Sequence, residues 1–231
     1  MNKGIVIFTP HHSGSSFLMH TLRMCGMYYG EHTFGWNEKL YHHLERNDIM
    51  ERISNIKYKD GDRGDDYDYI RKVLESYKHK SHFYGMKMTN FSTWSWAILK
   101  PIFEEIWGDE LICCTIIRDP FRNYDDNKTM ENRYKSMKFQ RYLLKSYRFK
   151  CLLFPDYWDD GRIIQFVNKL GMEWNDEIYL KEKPEMNPTL SVFTKGYAPD
   201  KPSRSLIDEG LESKYPKTLD LYNEMLGYLQ E

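Results

Sequence analysis

Apolar residues fall into two kinds of segment along this chain: short continuous runs, and longer stretches in which they recur every three or four positions. Gly4-Ile5-Val6-Ile7-Phe8 is a β-branched run ahead of Pro10 and predicts a buried strand. Leu18, Leu22 and Cys25 then share one helical face, with Ser13 or Ser15 available as its cap. A second helix is expected over roughly residues 37–53. A third is expected over 68–77, where Ile70, Val73, Leu74 and Tyr77 repeat at helical spacing. The charged, glycine-bearing stretch 57–67 between them predicts an exposed loop. Residues 82–88 suit a strand, and 92–107 suit an aromatic helix bent at Pro101.

Leu111 to Ile117 (LICCTII) is apolar on both faces, the mark of a central strand in a parallel sheet. Pro120 just beyond it suits the first turn of a long helix running towards Tyr147. Residues 149–154 suit another strand. Ile163, Phe166, Val167 and Leu170 mark a helix ending at Gly171, and Tyr222, Met225, Leu226 and Leu229 mark a last one. Residues 175–203 are irregular and Pro-bearing. Strand and helix alternate, so the expected fold is a single three-layer α/β domain over residues 1–231. Its central, mainly parallel sheet would have about four to five strands flanked by helices.

Composition narrows the function. With 33 Lys and Arg against 34 Asp and Glu, the chain has no basic excess to form a nucleic-acid groove, although a local anion pocket is compatible. Cys25, Cys113, Cys114 and Cys151 show no CxxC spacing and suit reduced thiols. No apolar run approaches the roughly 20 residues that span a bilayer. The first strand starts close to the initiator Met, leaving little room for an anchor. No membrane partner is expected, and a cytoplasmic location is.

Thr9-Pro10-His11-His12-Ser13-Gly14-Ser15-Ser16 lies between the first strand and the first helix. Unpaired N–H groups and the helix dipole favour an anion there. Gly14 lets the backbone approach a ligand, and four hydroxyls add donors. The same residues also suit a plain serine-capped turn. A Walker A loop is absent, because GxxxxGK[ST] occurs nowhere. A second candidate follows the central strand: Thr115-Ile116-Ile117-Arg118-Asp119-Pro120-Phe121-Arg122, whose Arg118 would stand at the carboxyl end of a parallel strand. A guanidinium there suits bidentate phosphate recognition, and equally an ion pair with a carboxylate such as Asp119.

Taken together, the two segments resemble the sulfotransferase family that uses 3′-phosphoadenosine 5′-phosphosulfate (PAPS), which has a P-loop-like fold. His11-His12-Ser13-Gly14-Ser15-Ser16 is similar to the 5′-phosphosulfate loop (H-R-S-G-T-S) of its bacterial members. The Arg118-Asp119-Pro120 segment is similar to the 3′-phosphate motif. Weaker echoes extend over residues 4–172. The resemblance implies PAPS as sulfuryl donor and 3′,5′-phosphoadenosine (PAP) as product. It assigns cofactor binding to Pro10, His11, His12, Ser13, Gly14, Ser15, Ser16 and Arg118, with Arg122 or Lys128 standing in where the family has a serine and this chain has Asp126. His12 occupies the place of the family's Lys or Arg, which assists the leaving phosphate. A histidine does so when protonated, or as a neutral N–H donor.

The expected reaction moves a sulfuryl group to a hydroxyl or amine of a carbohydrate or small metabolite. Catalytic candidates are His12, Lys87 as an anion ligand, and Glu38 or His32 as base. Trp94 and Trp96 would line an acceptor pocket or the core. All eight histidines precede residue 83, yet HExxH and finger spacings are absent, so no metal is expected. A P-loop phosphotransferase and a degenerate PAP-binding protein remain the competing functions. Neither acceptor identity nor oligomeric state is legible.

Overall fold

The computed structural model describes residues 2–9, 15–29, 47–58, 64–89, 93–121, 127–147, 149–154, 160–177 and 209–230. Five strands run through them: β1 (Lys3–Thr9), β2 (Met27–Tyr28), β3 (Phe83–Thr89), β4 (Leu111–Arg118) and β5 (Lys150–Phe154). Every pairing is parallel, in the order β2-β3-β1-β4-β5. Parallel neighbours need crossovers, and helices supply them. These are α1 (Ser15–Met24), α2 (Asn47–Tyr58), α3 (Gly64–Lys78), α4 (Thr93–Trp107) and α5 (Asn127–Tyr147), while α6 (Asp160–Lys169), α7 (Glu209–Lys214) and α8 (Pro216–Leu226) follow β5. The expected three-layer α/β fold is therefore what the chain adopts.

Side chains alternate across β1, and the two faces build two cores. Ile5 and Ile7 pack with Leu18, Met19 and Leu22 of α1 and with Ile163, Phe166 and Val167 of α6. Val6 and Phe8 pack on the opposite face with residues of α2, α3, α4, α5 and α8. Within that second core Phe8 stands edge-on to Trp96 (centroids 4.9 Å apart) and touches the rings of Phe139 and Phe149. Gly4 is required by close approach: a Cβ there would stand 2.6 Å from the Trp107 ring. Gly171 is required by conformation. It sits at φ +80°, where its N–H reaches the carbonyl of Asn168 and that of Met172 reaches Val167, a Schellman ending for α6.

Three expectations need correction, and one strand was not foreseen. α2 extends to Tyr58 and α3 begins at Gly64, so both helices invade the stretch expected as an exposed loop; Asp65 and Asp66 in the first turn of α3 complement its dipole. β2 has only two residues, too few to leave a periodic signal. Pro120 does not open α5. It lies in a turn, where the Asp119 carboxylate accepts the Phe121 N–H at 2.9 Å, and the helix starts at Asn127. α8 ends at Leu226, with Leu229 in a following 3₁₀ turn. The start expected for the second helix and most of the stretch 175–203 lie outside the described residues. Among the described residues no helix is long and apolar enough to cross a membrane.

Candidate functional site at the β1–β4 divergence

The strand order makes one place special. The chain leaves β1 towards β2 on one side of the sheet and leaves β4 towards β5 on the other. Connections that diverge in this way open a crevice beyond the carboxyl ends of the two strands, where open α/β sheets hold ligands. Thr9 ends β1 and Arg118 ends β4. The Cα ladder between the strands stops at Phe8 opposite Thr115, three residues short of Arg118.

Face alternation gathers the candidates further. Ile5 and Ile7 point to the α1 side, so Thr9 does too. On β4, Cys114 and Ile116 point to that side, and Arg118 follows. On β3, Tyr84, Met86 and Met88 belong to the opposite core, which leaves Lys87 on the α1 side. Lys87 aligns with Ile7 and Thr89 with Thr9. Three adjacent strands, about 10 Å across, thus present Lys87, Thr9 and Arg118 on one face, the face that carries α1.

All three are buried. Relative exposure is 2% for Lys87, 4% for Thr9 and 9% for Arg118, with Ser15 at 5% where α1 begins. Desolvating a charge is costly unless it is matched, and both cations make interactions within the protein. Lys87 is therefore not the solvated strand-end charge that its type would suggest. The Thr9 hydroxyl has no hydrogen-bond partner among the described residues. α1 has no acidic residue in its first turn, so no carboxylate of its own offsets its positive end. A cationic, hydroxyl-bearing, desolvated corner at a helix start is chemically suited to a polyanion.

The turn after β4 is held from within. Thr115 donates its hydroxyl to the carbonyl of Phe8 at 2.8 Å. The Gln140 amide on α5 donates to Thr115 Oγ1 at 2.8 Å and to the carbonyl of Ile116 at 2.7 Å. Arg133, also on α5, donates to the carbonyl of Pro120. Neither Gln140 nor Arg133 was singled out from the sequence. One signal was present: Met130, Met137, Gln140 and Leu144 lie on one apolar face of α5, so Gln140 is a polar residue at a core position.

Other candidates fare differently. Pro10, His11, His12, Ser13, Gly14, His32, Glu38 and Arg122 lie outside the described residues, as do the side chains of Ser16, Trp94 and Lys128. Trp96 is no pocket wall: it is 2% exposed and packed among Phe8, Phe103, Tyr147 and Phe149. The thiols are poor nucleophiles. Burial pushes Cys113 and Cys151 up to about 12 and raises Cys25 and Cys114 as well. Among the described residues no group of three His, Cys, Asp or Glu side chains is placed to hold a metal ion.

What the chain defines is thus a parallel α/β domain in which Lys87, Thr9 and Arg118 share one sheet face next to its topological switch point. No family profile matches the chain, and no curated protein matches it, so the site is read from its own chemistry.

Proposed function

We propose that the protein is a PAPS-dependent sulfotransferase acting on a hydroxyl or amine acceptor, with a carbohydrate or small metabolite favoured. The observation that carries this reading is the meeting, on one sheet face at the β1–β4 divergence, of Lys87, Arg118 and the unpartnered Thr9 hydroxyl beside the start of α1. The sequence resemblance gives that corner its particular ligand. PAPS carries anionic groups at both its 5′ and 3′ ends, which suits a loop at one strand end and an arginine at the next.

In this reading Thr9 and the loop 10–16 hold the 5′-phosphosulfate with the first N–H groups of α1. Arg118 forks onto the 3′-phosphate. Lys87 neutralises anionic oxygen near the centre of the site. When bound, PAPS supplies an activated sulfuryl group whose S–O bond to phosphate breaks as a bond to the acceptor oxygen or nitrogen forms. Glu38 or His32 takes the acceptor proton, and His12 donates to the leaving phosphate oxygen. A histidine donor is strongest when charged, so turnover rises towards mildly acidic pH.

The test is transfer of labelled sulfate from PAPS to a panel of sugar and amine acceptors. The wild type is expected to label at least one. His12→Ala is expected to lose turnover by a much larger factor than PAP affinity, and His12→Arg to keep turnover with a flatter pH profile. A protein that binds PAP but labels nothing under any condition would instead be a degenerate PAP-binding protein.

A further inference from the structure

We propose that Arg133 and Gln140 are positioning residues: a splint on α5 that fixes the backbone on both sides of Arg118 and so aims its guanidinium into the crevice. The two lie seven positions apart on α5, which places them on one helical face. Each donates to a main-chain carbonyl at the exit of β4, and those carbonyls bracket Arg118. Gln140 takes Ile116, two residues before it, and Arg133 takes Pro120, two residues after it.

The ladder explains why a side chain is needed there. The Phe8 carbonyl accepts from Thr115, so it faces β4. In a parallel pair opposite that residue, the Ile116 carbonyl faces β1 and awaits an N–H from the residue two beyond Phe8. That residue is Pro10, which has none. A buried carbonyl without a donor is costly, and the Gln140 amide fills the gap. Its second hydrogen goes to Thr115 Oγ1, which ties α5, β4 and the end of β1 into one buried chain of hydrogen bonds. Gln140 is 2% exposed, so water does not compete for these bonds.

The splint itself stands on these bonds; its consequence for ligand binding rests on the reading of Arg118 as a 3′-phosphate ligand. The experiment separates the two. Hydrogen–deuterium exchange is followed by mass spectrometry in the wild type, Gln140→Met, Arg133→Met and Arg133→Lys. PAP and adenosine 5′-monophosphate affinities are measured on the same proteins. Amides of residues 117–121 are expected to exchange about tenfold faster in both Met variants, the worth of one hydrogen bond. Protection in β1, β3 and α1 stays unchanged, and Arg133→Lys falls between. PAP affinity falls about tenfold while that of the monophosphate stays within about twofold, since only PAP has the group that Arg118 would hold. Exchange at 117–121 that is unchanged, or raised equally throughout the chain, overturns the splint. Equal losses for both nucleotides overturn the aiming of Arg118. If the wild type binds no PAP, the sulfotransferase reading fails, and the exchange data still decide the splint. Should Gln140→Met not fold, the two Arg133 variants carry the test.

Discussion

Arg118→Ala is expected to bind PAP about 100-fold more weakly than the wild type while leaving the affinity for adenosine 5′-monophosphate within about threefold. A guanidinium forked onto phosphate makes two charge-assisted hydrogen bonds, and losing them in a desolvated corner removes about 3 kcal/mol. Arg118 is 9% exposed, on the face of the sheet that carries α1, so its charge is little screened by water. Arg118→Lys should be intermediate, because a lysine keeps the charge and loses the fork. Calorimetric titration of each variant with both nucleotides measures this, with circular dichroism to check the fold. Equal losses for the two ligands would mean that Arg118 supports the crevice rather than the 3′-phosphate.

The second large effect concerns the core under the site. Phe8→Ala is expected to destabilise the protein by about 3–5 kcal/mol, a large share of the 5–15 kcal/mol typical of a domain. Phe8 is 1% exposed, and its ring meets Trp96 of α4, Phe139 of α5 and Phe149 just before β5. Three separate elements must move to fill the space it leaves, so collapse is incomplete and a cavity remains. Phe8→Leu should recover more than half of the loss. Urea unfolding followed by tryptophan fluorescence reads both. A loss under about 1 kcal/mol for Phe8→Ala would show that the aromatic cage repacks freely. Because Phe8 adjoins Thr9 and lends its carbonyl to Thr115, the same variant is expected to weaken PAP binding.

The sequence revealed most where burial leaves a strong local trace. β1 and β4 are continuous apolar runs because they are covered on both faces, and the helices α3, α4 and α6 show their buried stripes directly. Arg118 stood out as a charge at the end of such a run, and its burial follows from the fold around it. Lys87 could be placed at a strand end by sequence, but not on a face: its registry with Ile7, and the opposite core that takes Met86 and Met88, put it on the α1 side. What stayed hidden depends on contacts distant along the chain. β2 is two residues long and exists through β3. The turn at Pro120 depends on Asp119 bonding back to the main chain and on Arg133 reaching over from α5. Gln140 is one polar residue in a helix crowded with polar ones, and only the apolar company of Met137 and Leu144 marks it.

The central claim is that the crevice between β1 and β4 takes a nucleotide with phosphates at both its 3′ and 5′ ends. Calorimetric titration of the wild-type protein with PAP, and separately with ATP plus Mg²⁺, tests it most directly. Saturable binding of PAP, at least tenfold tighter than ATP and abolished by high phosphate, is the predicted result. Preference for ATP, or heat indistinguishable from buffer with both nucleotides, would contradict it.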